Sequence, residues 1–268
     1  MKRAGLDYLK NWKDKKTRKP LIIRGARQVG KSYLVRLFAR EHGLDLLEVN
    51  FEFNDDYIPC FRPKDPKQII TLLELKSAQK VVPGKTLLFL DEIQSAPEVL
   101  ARLRYFYEIL PRLHVIAAGS LLEFVLEEHS FSMPVGRIEY MHLGPMSFKE
   151  FLNGIGRNQL TEFIEQYQYP DEFPIVVHDE LMKIFKLYLA IGGMPEAIQV
   201  YSDTNSLLEV DTVKQSILLT FRDDFSKYKQ RVNHIRLQTV FQKLPLQIGR
   251  KIKYVNLDLN EKRSDLKK

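Results

Sequence analysis

The sequence predicts an α/β fold, a parallel sheet sandwiched by helices and followed by a helical portion. Two observations carry this expectation. Short apolar runs alternate with amphipathic helical stretches over residues 20–155, an order that implies parallel strands joined by right-handed crossovers in a doubly wound sheet. The runs "TLLFLDEIQ" and "HVIAAGS" are apolar almost throughout, as strands buried on both faces are.

The elements follow in order. Residues 20–25 form an apolar run closed by Gly25, and the helix after it places Leu34, Val35, Leu37 and Phe38 on one side before stopping at Gly43. Leu47, Val49, Phe51 and Phe53 alternate with polar residues in strand period. Beyond a loop holding Pro59, Pro63 and Pro66, a helix runs through Ile69, Ile70, Leu72, Leu73 and Leu75 to the turn Pro83-Gly84. After "TLLFLDEIQ", Ser95 and Glu98 have capping-box spacing, which predicts a helix that starts there and stops before Pro111. The same spacing recurs at Ser120 and Glu123, and at Ser147 and Glu150 after Gly144-Pro145. From about residue 155 the pattern is helical only. The expected segments are a basic N-terminal stretch (1–19), an α/β core (20–155), a helical lid-like subdomain (156–230) and a last region (231–268).

Composition bounds the function. An apolar share of 44% and a charged share of 28% are those of a soluble globular chain. No apolar segment follows the N-terminal charges, and the longest nearly apolar stretch (113–126) is broken by His114, Ser120 and Glu123. It falls short of the ~20 residues a membrane span needs, so no membrane association is expected. A single cysteine, Cys60, excludes an intramolecular disulfide and a cysteine-based zinc site; a cytoplasmic location fits best. The net charge of +7 is uneven: residues 1–20 carry +6 and residues 222–268 carry +8, leaving −7 for the middle. Basic ends can engage phosphates of a nucleic acid or serve as solvated tails; both readings stay open.

The chemistry-bearing stretch is "RGARQVGKS", which contains Gly25-x-x-x-x-Gly30-Lys31-Ser32, the phosphate-binding loop pattern. It leaves an apolar strand and enters a helix, where free backbone amides and the helix dipole favour a phosphate. The loop comprises Gly25, Ala26, Arg27, Gln28, Val29, Gly30, Lys31, Ser32 and Tyr33. In this pattern Lys31 bridges the β- and γ-phosphates of ATP and the Ser32 hydroxyl ligates Mg²⁺. "LLFLDEIQ" supplies a second signal, with Asp91 at the end of a buried strand placed for the same Mg²⁺ and Glu92 beside it able to polarise a water. The Glu next to the Asp favours a hydrolase over a small-molecule kinase. No Asn-Lys-x-Asp guanine-reading signature occurs, so ATP is expected rather than GTP. Ser120, ending "HVIAAGS", fits both as a hydrogen-bonding partner of the γ-phosphate or attacking water and as a plain helix N-cap.

Together "RGARQVGKS", "LLFLDEIQ", "AAGSLLEF", "GRIEYMHLGPMSFKEFL" and "IGGMPEA", in this order, resemble a prokaryotic AAA-type P-loop ATPase family. In that family an AAA-like core precedes helices, a winged-helix region and a further domain of poorly understood role. The resemblance implies nucleotide binding by Gly30, Lys31 and Ser32, metal and water roles for Asp91 and Glu92, and a sensor role for Ser120. It also matches Arg137 to a recurrent arginine, which would act on the γ-phosphate in cis or from a neighbouring subunit, or else form a structural ion pair. The corner at Gly192, Gly193, Met194, Pro195 and Glu196 is explained as a helix stop and restart. Residues 233–257 resemble the start of a winged-helix region, and the charged segment after it leaves no residues for its third helix and hairpin. That departure is read as truncation or as a disordered end, and it puts DNA binding through this region in doubt.

The expected activity is Mg²⁺-dependent ATP hydrolysis. The alternatives are a slow nucleotide-gated switch and a DNA-binding regulator acting through the basic C-terminal region. A DNA or protein partner at the basic ends is left open, and an oligomer is compatible with the sequence but demanded by no residue.

Overall fold

The computed structural model describes residues 1, 3–120, 136–227 and 234–251. Five parallel strands form one sheet: β1 (Leu21–Arg24), β2 (Asp45–Asn50), β3 (Thr86–Asp91), β4 (His114–Gly119) and β5 (Glu139–His142), in the order β2-β3-β4-β1-β5. The helices between and after them are α1 (Gly5–Asp14), α2 (Lys31–Glu41), α3 (Pro66–Ser77), α4 (Pro97–Leu100), α5 (Leu103–Ile109), α6 (Phe148–Gly154), α7 (Asn158–Gln166), α8 (Ile175–Ile191) and α9 (Pro195–Thr204). The chain divides into two compact units, Met1–Leu207 and Leu208–Lys268. The helices α6 to α9 fall in the first unit. The second holds α10 (Leu207–Lys227) from its second residue on, α11 (His234–Lys243) and a 3₁₀ turn at Leu244–Gln247, with Phe221 and Phe241 rings 6.5 Å apart. The predicted helix after Ser120 and residues 252–257 of the stretch that resembles a winged-helix start lie outside the described residues.

The continuously apolar strands are buried on both faces, as expected. Ile22, Leu88, Leu90, Val115 and Ala117 join one core cluster with residues of α3, α4 and α5. Leu21, Ile23, Leu87, Phe89, Ile116 and Ala118 face the other, against α1 and α2. This alternation is the strand period of two, and at roughly 25 cal/mol per Å² of apolar burial it is the main source of stability.

Three sequence expectations need correction. Residues 1–19, read as a basic segment, contain α1, whose Leu6, Leu9 and Trp12 are buried. Trp12 Nε1 donates to the Lys19 carbonyl at 2.8 Å, Arg18 donates to the carbonyls of Lys13, Pro111 and Arg112, and Lys15 pairs with Glu139 at 2.6 Å. Several of these basic residues are therefore spent on the chain itself. The Ser95–Glu98 capping box does not form. Ile93–Ser95 is a 3₁₀ turn, and α4 starts at Pro97 behind Ala96, which makes no side-chain cap. Proline at the first helical position needs no capped amide. The helix expected to run on to Pro111 is also broken into α4 and α5. The Ser147–Glu150 capping box, by contrast, is complete in both directions.

His114, at the start of β4, packs edge-on against Trp12 with ring centroids 6.2 Å apart. Burial, with the like charge of Arg18, lowers its pKa from 6.5 to about 4. The unfolded chain thus takes up this proton at higher pH than the folded one. The neutral ring's contribution is fully present above pH 6.5 and is lost as pH falls toward 4, a change of up to about 3 kcal/mol. The unfolding midpoint followed by circular dichroism is expected to fall across that window, and more gently in His114→Phe.

Candidate functional site

The loop after β1 has the backbone that its glycines predict. Gly25 has φ +153°, and a Cβ there would lie 2.1 Å from the Leu143 carbonyl oxygen, so only glycine fits this approach. Gly30 (φ +89°) precedes α2 in the left-handed region, with nothing closer than 3.7 Å to a Cβ; its constraint is conformational. Gln28 also takes a positive φ of 62°, although it carries a side chain, at a cost of about 1–2 kcal/mol. The Lys31 ammonium folds into the loop and donates to the carbonyls of Gly25 (3.0 Å) and Ala26 (2.8 Å). Burial lowers its pKa, and the charges of Glu92 and Asp91 oppose that shift. Val29 is buried in the core below, while Ala26 and Gln28 are exposed and Arg27 is half-buried. Tyr33 is exposed, and its hydroxyl accepts from the Met1 amino group at 3.1 Å.

Sheet order brings the other motifs to this loop. β4 lies between β1 and β3, with Arg24 opposite Gly119 and Leu90 opposite Ala117, so Gly25, Ser120 and Asp91 emerge from three neighbouring strand ends. Ser32, in the first turn of α2, closes the span by donating its hydroxyl to Asp91 Oδ2 at 2.7 Å. Burial raises the Asp91 pKa, opposed by the Ser32 hydrogen bond. Glu92 has a left-handed backbone (φ +49°), an observed strain of about 1–3 kcal/mol. Its amide donates to Asp91 Oδ1 at 3.0 Å, and its own carboxylate accepts from the Gln94 side-chain amide. Ser120 is 1% exposed, and its hydroxyl has no hydrogen-bond partner among the described residues.

Arg137 does not join this group. It stands two residues before β5, at the edge where the strands begin, whereas the loop lies where they end. Its Nε donates to Glu108 Oε1 at 3.1 Å in an exposed pair. The expected action on a phosphate within the same chain is therefore corrected to the structural ion pair.

Two features were missed in the sequence. Arg3, 4% exposed, donates to the Val29 and Gly144 carbonyls and to Glu150; only the apolar spacing of Leu6, Leu9 and Trp12 just after it hinted at an ordered start. Glu150 was legible as a cap but not as the partner of Arg3. The Gly192–Glu196 corner abuts the same region. The Gly193 carbonyl accepts from the Met146 amide at 2.6 Å, a Cβ on Gly193 would come within 2.5 Å of the Met146 oxygen, and Pro195 flanks Gly30.

The residues suit a nucleotide with Mg²⁺. The hydroxyl of Ser32 and the carboxylate of Asp91 are a pair of hard oxygen donors, and Mg²⁺ is commonly held by one or two protein oxygens plus substrate phosphates. Ser120 offers a buried hydroxyl that has no partner among the described residues. Among the described residues no group of three or more His, Cys, Asp or Glu could hold a metal, and a site of this kind needs none. No helix among them is long and apolar enough to cross a membrane.

Comparison with solved structures gives distant likenesses. The Drosophila ORC bound to DNA is 14% identical (81% of this chain, 66% of that one, TM-score 0.46), and C. elegans PCH-2 is 15% identical (80% and 66%, TM-score 0.42). The replication initiator DnaA bound to AMPPCP and single-stranded DNA is 16% identical (98% and 74%, TM-score 0.42). This chain thus spans just under two thirds of the first two. The comparison with curated proteins gave no match. Residues 182–268 match a domain of unknown function, DUF8612, where the sequence had suggested a winged-helix start. Residues 17–152 match the AAA domain across the loop, Asp91, Glu92 and Ser120, and the chain belongs to the AAA domain family.

Proposed function

We propose that this protein binds ATP with Mg²⁺ and hydrolyses it. The observation that carries the reading is the 2.7 Å hydrogen bond from Ser32, at the loop's helix, to Asp91, at the end of β3. It brings the phosphate-binding loop and a buried carboxylate together, which supports a shared site for Mg²⁺ and phosphate. The Lys31 ammonium, held in the loop by two carbonyls, exchanges those partners for phosphate oxygens. The loop amides and the N-terminus of α2 add positive potential. Ser32 and Asp91 would hold Mg²⁺, which when bound neutralises charge on the phosphates.

Glu92 accepts a proton from the attacking water as the water oxygen bonds to the γ-phosphorus and the bond to the ADP oxygen breaks. The products are ADP and inorganic phosphate, and the proton leaves from Glu92. For this the Glu92 carboxylate must be released from Gln94 toward the water. Ser120 hydrogen-bonds the γ-phosphate or the water from the strand between the loop and Asp91, which would satisfy its hydroxyl.

Titration calorimetry tests binding. ATP is expected to bind in the presence of Mg²⁺, and at least about tenfold more weakly when the metal is chelated, since charge-assisted contacts contribute about 1.5–3 kcal/mol each. No heat of binding under either condition would overturn the proposal.

A further inference from the structure

Arg3 comes from outside every motif that defines the site, yet its guanidinium reaches the phosphate-binding loop. Its Nη1 donates to the Val29 carbonyl at 2.8 Å, its Nη2 to the Gly144 carbonyl at 2.8 Å and its Nε to Glu150 Oε1 at 2.8 Å. Glu150 is itself fully engaged. Its Oε1 also accepts from the Ala4 amide at 2.9 Å, and its Oε2 accepts from the Ser147 amide at 2.8 Å. Burial raises the Glu150 pKa, but the Ser147, Ala4 and Arg3 donors outweigh it and hold the carboxyl below its ordinary value. The arginine is therefore a fixed, charged, buried fork whose acceptors belong to three separate stretches of chain.

We propose that Arg3 is a positioning residue for nucleotide binding, orienting the Val29–Gly30 peptide of the loop through its hydrogen bond to the Val29 carbonyl. This rests on the ATP-binding reading above. The C=O and N–H of a trans peptide point in opposite directions. Holding the Val29 oxygen toward Arg3 thus turns the Gly30 N–H away from Arg3. That amide opens α2, where an anion finds the free donors of a helix N-terminus. Gly30, at φ +89° with no side chain to fix it, is the joint of the loop with the most freedom to rotate, so an external anchor has most effect there. Lysine cannot replace the anchor, because one ammonium lacks the planar fork that meets all three acceptors.

The test compares wild type with Arg3→Lys in three measurements: unfolding midpoint, hydrogen exchange of peptides covering residues 25–33 without nucleotide, and steady-state hydrolysis of Mg-ATP. The variant is expected to exchange faster in this loop by about tenfold. It is expected to show a KM for ATP about tenfold higher with kcat within about threefold, the signature of lost binding common to ground and transition states. If Arg3→Lys unfolds below the assay temperature, Arg3→Met combined with Glu150→Gln, which removes both charges together, is measured instead with the same expectations. Unchanged exchange and unchanged KM in a folded variant would overturn the positioning role alone. A fall in kcat at constant KM, tracking lost stability, would reduce Arg3 to a structural contact. Wild type that neither binds nor hydrolyses ATP would overturn the function and this role with it.

Discussion

Glu92→Gln is expected to lower ATP turnover by about 10²–10⁴-fold, the range over which a positioned base acts, while leaving Mg-ATP affinity within about threefold. The amide keeps the size and the hydrogen-bonding reach of the carboxylate but cannot take a proton from water. Glu92 is not among the groups that would hold the metal or the phosphates. Those are Ser32, Asp91, Lys31 and the loop amides, and the Ser32–Asp91 bond does not pass through it. The left-handed backbone at Glu92 (φ +49°) is unaffected by the exchange, so no change in stability beyond about 0.5 kcal/mol is expected. Phosphate release and binding calorimetry, read on the same preparation, separate the two effects.

Lys31→Ala is expected to weaken ATP binding by about 100-fold or more, and turnover with it. Lys31 is 7% exposed, and its ammonium donates to the loop's own Gly25 and Ala26 carbonyls. Two charge-assisted hydrogen bonds to phosphate oxygens, at about 1.5–3 kcal/mol each, account for a loss of that size. The substitution also leaves the Gly25 and Ala26 carbonyls without their donor, so the unfolding midpoint must be read beside the affinity. A weakened Kd in a variant with a nearly unchanged midpoint assigns the effect to the phosphate contact.

The sequence made the central part of this architecture legible for a simple reason. β1, β3 and β4 are buried on both faces, so each holds an unbroken apolar run (21–23, 87–90 and 115–119), and each motif sits where such a run ends. Neighbouring strand ends then place Gly25, Ser120 and Asp91 together without further information. What escaped was held by long-range contacts. The helix α1 has only Leu6, Leu9 and Trp12 as its apolar stripe among abundant lysines, and charge masked it. Arg3 acquires its role from Val29, Gly144 and Glu150, partners no local pattern connects to it. Ser95 and Glu98 had the right spacing for a capping box, but the turn that starts at Glu92 and the proline at 97 set the helix start one residue later. Arg137 was placed by motif alone; its position at the opposite edge of the sheet depends on the direction in which β5 runs beside β1.

Single-turnover release of phosphate from ATP in the presence of Mg²⁺, measured in parallel for wild type and Glu92→Gln, tests the central claim most directly. Wild type is expected to release phosphate, and the variant to bind ATP equally well but release it about 10²–10⁴-fold more slowly. Equal rates in the two proteins, or no release by wild type, would contradict hydrolysis at this site.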